Sequence, residues 1–271
     1  MEYQTLTAAD SAYPKKLLER VEKAPTLYYN GPLHLLDRWT LAVMSSDSIS
    51  GLALMAANQL LFTLREYHLN YIGGWHSVME TEIFRLGLFR KNVTVALFSA
   101  KGLASETFES FLEDRFYPPL HQFPERDEYF RRAKESELLI LSAADPQERK
   151  TARKNVMNRN WLCCLLADAV FIPYAAKGTK THTLAKKIVE AHLPVFTTDD
   201  ETNRDLHQLK IPGLDRKTVG SFLDEQGAPK KGEAPFTPPP APFEINGPLP
   251  QKREVSEQMG LWQKRKRRPA P

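Results

Sequence analysis

Two clusters in this chain have the residue types and spacing to hold a phosphate. One is the polar triplet Asn158-Arg159-Asn160, whose guanidinium can grip two phosphate oxygens at once. The other is Lys177-Gly178-Thr179-Lys180-Thr181, a turn between a short β-branched strand, Ala169 to Pro173, and an amphipathic helix running to about Ala191. A strand, a Gly/Thr/Lys turn and a helix, in that order, leave backbone N–H groups at a helix N-terminus, where an anion is stabilised. The plainer reading is an ordinary strand-to-helix turn with Lys177 and Lys180 solvated. His76 beside Trp75 could stack on a base or donate to a phosphate, or simply sit exposed on a Gly-Gly turn.

These residues need a scaffold that gathers their turns, and the sequence supplies one. From Thr40 the pattern alternates: strand Thr40–Met44, helix Gly51–Arg65 with Leu52, Met55, Ala56 and Leu60 on one face, strand His68–Ile72, and helix Val78–Leu88. Strand Val93–Phe98, a helix from Glu106 to about Arg115, and a turn region around Pro118-Pro119 and Pro124 follow. Strand Leu138–Leu141 then leads to a polar, basic helical approach, Gln147 to Met157. After the triplet and an apolar helical run come the Ala169–Pro173 strand, the amphipathic helix, a strand from Pro194 to Thr198, a short cap over 203–213 and a last apolar turn, Val219 to Leu223. The alternation predicts an α/β fold, a Rossmann-like parallel sheet with helices on both faces. Ligands in such sheets sit beyond the carboxyl ends of the strands. Four turns are expected there: Ser45-Ser46-Asp47, Gly73-Gly74, Ser99-Ala100-Lys101-Gly102 and Lys177-Gly178-Thr179.

Three segments are expected. Residues 1–39 form an N-terminal extension packed on the core, in which Pro14 opens a helix bearing Leu17, Leu18 and Val21, and Ala24 to Gly31 lies extended against the first sheet strand. Residues 40–225 form the Rossmann-like domain. Residues 226–271 read as a disordered, Pro-rich and basic tail, because APKKGEAPFTPPPAPFEINGPLP has no period. The tail holds nine of the 37 Lys/Arg and four of the 33 acidic residues, a balance of +5 against −1 for the rest. Its run Lys264-Arg265-Lys266-Arg267-Arg268 can add salt-sensitive affinity for a polyanion or an acidic partner, with Met259, Leu261 and Trp262 as anchors.

Cys163 and Cys164 are adjacent in the apolar run, so they read as buried thiols rather than a disulfide or metal pair. His68, His76, His121, His182, His192 and His207 lack ligand spacing, so neither a metal nor a cofactor is expected. The start, Met-Glu-Tyr-Gln-Thr, lacks a charged-then-apolar pattern, so no signal segment is expected, and no apolar run nears the ~20 residues of a membrane helix. A cytoplasmic protein with no membrane role is expected.

Several motifs, in order, resemble the DNA-processing protein A (Smf) family. Tyr13-Pro14, Ala24-Pro25 to Tyr28 with Gly31, and the strand at Leu41 resemble its start. Asn158-Arg159-Asn160, Leu166-Ala167-Asp168-Ala169-Val170 and Gly178-Thr179-Lys180-Thr181 resemble its later core. The resemblance covers about residues 10–215. It implies a Rossmann-like protein, more a binder than an enzyme, that binds single-stranded DNA, assists a recombinase during natural transformation and self-associates as a homodimer. The family's Gly-Ser-Arg turn stands here as Met44-Ser45-Ser46-Asp47. Its Ser-Gly-x-Ala-x-Gly-Ile-Asp turn is reduced to Gly73-Gly74-Trp75-His76, with the acidic position at Glu80. The phosphate site is therefore expected chiefly at Asn158–Asn160 and Lys177–Thr181, with Ser45, Ser46, Gly73, Gly74 and Lys101 around it.

Two rival readings share the same crevice. One is a sensor of a small signalling nucleotide in a defence or mobile-element system. The other is an enzyme resembling the nucleotide phosphoribohydrolases. Those use a Pro-Gly-Gly-x-Gly-Thr turn followed by a glutamate, and here no glutamate follows the turn until Glu190.

Overall fold

The computed structural model describes residues 1–88, 94–107, 127, 130–131, 135 and 138–231. The expected Val93 strand start, most of the Glu106–Arg115 helix, the turns at Pro118-Pro119 and Pro124, and the tail residues Met259, Leu261, Trp262 and Lys264 to Arg268 lie outside them.

The strands are β1 (Gln4–Leu6), β2 (Leu27–Asn30), β3 (Thr40–Val43), β4 (Asn70–Gly73), β5 (Thr94–Ser99), β6 (Leu138–Ser142), β7 (Ala169–Phe171), β8 (Val195–Thr198) and β9 (Gly213–Leu214). The helices among the described residues are α1 (Lys15–Arg20), α2 (Gly51–Leu64), α3 (Val78–Leu88), α4 (Arg153–Leu166), α5 (Lys180–Glu190), α6 (Arg204–His207) and α7 (Thr218–Glu225).

The α/β expectation holds. All nine strands join one sheet in the order β1-β2-β6-β5-β4-β3-β7-β8-β9, and β3 to β9 run parallel. Period-2 alternation splits the core into two layers. Leu41, Val43, Val95, Leu97, Leu138, Ile140, Ala169 and Phe171 face α2, α3 and α7. Ala42, Ala96, Phe98, Leu139, Leu141 and Val170 face α1, α4 and α5.

The sheet is mixed rather than wholly parallel. β1 and β2 add an antiparallel edge, with Tyr28 opposite Ser142 and Asn30 opposite Ile140. The Ala24–Gly31 segment therefore lies on β6, not on the first strand of the alternation. β3 already has both ladders filled, by β4 and β7, whereas β6 ends the parallel run on one side and offers a free edge.

Local chemistry fixes the helix starts. The hydroxyl of Ser50 caps α2 by accepting from Ala53 N at 3.2 Å, Ser77 accepts from Glu80 N at 3.1 Å at the head of α3, and Thr179 accepts from His182 N at 3.2 Å on α5. The basic approach and the triplet are one helix, α4, beginning at Arg153 rather than Gln147. On α2 the inward face is Ala53, Ala57, Leu60, Leu61 and Leu64. Of the face expected from the sequence only Leu60 is buried, and Leu52 and Met55 are exposed. With no charged residue anywhere in the helix, its sequence has no polar stripe to mark the outer side.

The polypeptide stays on the core past α7. Trp39 Nε1 donates to Gln226 O at 3.0 Å, and Lys231 N donates to Glu66 O at 2.8 Å, at the C-terminal end of α2. Both cysteines are buried. Burial pushes the Cys163 thiol up to about 12, and burial also raises Cys164 well above its usual value. Both thus stay protonated and enclosed in neutral solution. A thiol-specific reagent at about pH 8 should leave them untouched in the native protein and titrate both in denaturant. Rapid native labelling would mean that α4 opens.

Candidate functional site

The sheet winds outward in one direction from β3 through β4, β5 and β6, and in the other from β7 through β8 to β9. The winding reverses between β3 and β7, so the crevice of this fold lies beyond the carboxyl ends of those two strands. The turn after β3 carries Ser45 and Ser46, and the turn after β7 leads to Lys177–Thr181. The structure brings these two expected clusters together. Ser46 N donates to Tyr174 O at 3.0 Å, and the Ser46 hydroxyl lies 3.3 Å from that of Thr179.

In the second turn Gly178 adopts φ +85, and Lys177, Gly178 and Lys180 are exposed. Thr181 is buried at the head of α5. Thr179 is engaged as the N-cap and donates to Ala176 O at 2.7 Å. Lys177 N donates to a carboxylate oxygen of Asp205 at 2.8 Å. That acid already occupies one of the main-chain donors expected to be open to an anion, which leaves the two ammonium groups as the outward features of the turn.

Arg159 is placed differently from a surface phosphate grip. It is only 4% exposed, with Nη1 donating to Phe98 O at 2.9 Å and Nε to Asn160 Oδ1 at 2.6 Å. Its guanidinium lies directly under Gly74: a Cβ there would fall 2.1 Å from Nη1. Beside it is the buried Glu80 carboxylate, which accepts from Ser45 N at 2.9 Å and His76 N at 3.1 Å. Burial raises the Glu80 carboxyl above its ordinary value, opposed by those N–H groups and the Arg159 charge. Burial likewise lowers Arg159, opposed by Glu80. This pair ties the turns after β3 and β4 to the end of β5 and to α4. It organises the rim from beneath. Arg159 borders a cleft of about 20 Å³ lined by Phe98, Ser99, Asn155 and Asn158 among others.

The remaining expected residues lie around this knot. Asn158 is exposed and Asn160 half-buried on α4. Gly73 ends β4 and Gly74 follows it, both buried, and in the turn beyond them Trp75 takes φ 59 and sits in the core, its Nε1 donating to Ala96 O at 3.1 Å. Trp75 is therefore no platform for a base, while His76 next to it is exposed. Lys101 follows β5, and its ammonium pairs with Glu106 at 3.1 Å.

The expected site did not include Arg149, Lys150, Arg153 and Lys154, four exposed cations on the loop after β6 and the first turn of α4. They stand on the same rim. The signal was present in the sequence, as the basic character of residues 147–157, but reading that stretch as an approach helix hid its place at a strand's carboxyl end. Among the described residues no group of His, Cys, Asp and Glu could hold a metal ion.

The profile of the DNA recombination-mediator protein A family matches residues 4–209. No curated protein matches the chain. Among solved structures, DNA processing protein A from Streptococcus pneumoniae superposes with a TM-score of 0.64 at 19% identity, over 83% of this chain and 74% of that one. DNA processing protein A from Helicobacter pylori, in a structure concerned with its single-stranded DNA binding mode, gives 0.61 at 18% identity over 83% and 97%. At these identities the likeness carries the fold.

Proposed function

The chain belongs to the DNA recombination-mediator protein A family, and from that premise we propose that it binds single-stranded DNA along the carboxyl rim of its sheet. The observation that carries this reading is the form of the rim. Exposed cations border the β3/β7 crevice and extend along the head of α4, beside a cleft of about 20 Å³ at the carboxyl ends of β5 and β6. A polyanion needs only an open strip of donors. Lys177 and Lys180 contact phosphates from the β7 side of the crevice, and Arg149, Lys150, Arg153 and Lys154 contact them farther along the rim, beyond β6. Asn158 lies between the α4 head and the cleft, and Ser45, Ser46 and Gly74 shape its floor.

The recombinase-assisting role, a cytoplasmic location and a partner-binding or DNA-binding role for Lys264 to Arg268 belong to the same proposal. No helix among the described residues is long and apolar enough to cross a membrane.

The test is fluorescence anisotropy of a labelled oligothymidylate at two salt concentrations, beside thermal shifts with mononucleotides. Lys177→Ala with Lys180→Ala should weaken binding about tenfold and flatten the salt dependence by roughly one to two counterions. The melting temperature should not move, because both side chains are exposed and Asp205 holds the main chain of Lys177. Stabilisation by a mononucleotide without oligonucleotide binding would overturn the proposal.

A further inference from the structure

We infer, on the premise that the rim binds DNA, that Asp205 is a stand-in anion. Its carboxylate occupies a phosphate seat in the turn after β7, and makes that seat yield to a nucleic-acid strand but not to a single nucleotide. The turn is shaped to present main-chain donors. Gly178 takes φ +85, and no atom beyond its chain neighbours lies within 4 Å of where its Cβ would be. Its N–H faces open space and has no hydrogen-bond partner among the described residues. Lys177 and Lys180 flank it, both exposed. Successive N–H groups beside the head of α5 are an arrangement that accepts an oxyanion. One of them is already filled from within the chain. Asp205, on α6, reaches back 28 positions to accept from Lys177 N at 2.8 Å. That is the one hydrogen bond its carboxylate makes among the described residues, and no cation pairs with it there.

A carboxylate and an incoming phosphate compete for the same N–H and repel each other while both are near it. The outcome depends on how the phosphate arrives. A free mononucleotide must displace Asp205 at its own concentration, whereas the carboxylate is fixed in the chain and always present. A strand held by Arg149, Lys150, Arg153 and Lys154 farther along the rim offers its next phosphates at an effective concentration on the order of millimolar. Asp205 is half-buried on the four-residue α6, so its side chain can turn to solvent without opening the core. The plain alternative is a brace, in which Asp205 holds the turn in shape and stays in place when a strand binds. The two roles differ in sign. A brace needs an acceptor, which asparagine keeps and alanine lacks. A stand-in needs a charge, which both substitutions remove.

Anisotropy of a labelled oligothymidylate with the full chain tests it, beside thermal shifts with dTMP at constant ionic strength. Asp205→Asn and Asp205→Ala should each bind the oligonucleotide about three- to tenfold more tightly than wild type. Glu201→Gln removes an exposed acid of the same rim whose side chain holds no N–H, and should change the affinity by less than about twofold. At about 10 mM, dTMP should raise the melting temperature of Asp205→Asn by about 2 °C and leave wild type unmoved. Adding Lys177→Ala and Lys180→Ala should erase that shift, which places the gained affinity at this turn. Weaker binding by Asp205→Ala with Asp205→Asn unchanged identifies a brace and overturns the assignment. Oligonucleotide binding that neither substitution alters also overturns it and leaves the DNA reading standing, as does a wild type that binds the strand and is equally stabilised by dTMP. No oligonucleotide binding by wild type or by either variant overturns both.

Discussion

Replacing Arg159 with alanine should lower the stability of this protein by about 3–5 kcal/mol, because it opens a cavity in the interior and strips hydrogen bonds from buried acceptors. The side chain is 4% exposed and fills the space beneath Gly74. Its removal leaves Phe98 O and Asn160 Oδ1 without their donors and Glu80 without its counter-charge. For a folded body of this size the melting temperature should fall by roughly 10 °C. The deficit should also depend on pH. Burial raises the Glu80 carboxyl, so the folded state takes up its proton more readily than the unfolded chain does. A carboxyl raised in this way supports folding while protonated, and that support is lost as pH rises through its folded value. Without Arg159 the value climbs further. The gap between wild type and variant should therefore be wider at about pH 8 than at about pH 5. Calorimetry at both pH values measures it. An unchanged melting temperature would mean that Arg159 faces a ligand after all.

Gly74→Ala should strike the same knot from above. The new Cβ would lie 2.1 Å from Nη1 and 2.2 Å from Cζ of Arg159, so alanine and the seated guanidinium cannot coexist. Overpacking of this kind costs about 1–3 kcal/mol. Because the three nearest atoms to that Cβ all belong to Arg159, the double variant Gly74→Ala/Arg159→Ala should be more stable than the sum of the two losses implies, by about 1 kcal/mol or more. Additive urea-denaturation free energies would show that Gly74 is constrained by something else.

Local pattern made most of the fold legible. Helix α3 falls at Val78–Leu88 as read, and β3, β4, β5, β6, β7 and β8 lie within about two residues of expectation, because each strand is a short apolar run between turn residues. The pairing of β2 with β6 was not legible, since a free sheet edge is a property of the assembled order and not of any segment. The inner face of α2 was misread because an uncharged helix carries no polar stripe. At the site, the nearness of Ser46 and Thr179 follows from strand order and was anticipated in outline. The depth of Arg159 was not. Asn158-Arg159-Asn160 looks like a surface triplet, and only the missing side chain of Gly74, more than 80 positions earlier, makes room for a guanidinium inside.

The two lips of the crevice come from opposite ends of the alternation: Ser46 and Thr179 touch across 133 positions of sequence. β3, which carries the first lip, sits mid-sheet and stays bare along one edge until β7 is laid down beside it. A chain emerging from the ribosome therefore carries the early lip for most of its synthesis without anything to close against. The crevice is therefore complete only once the segment from β7 to α5 has docked.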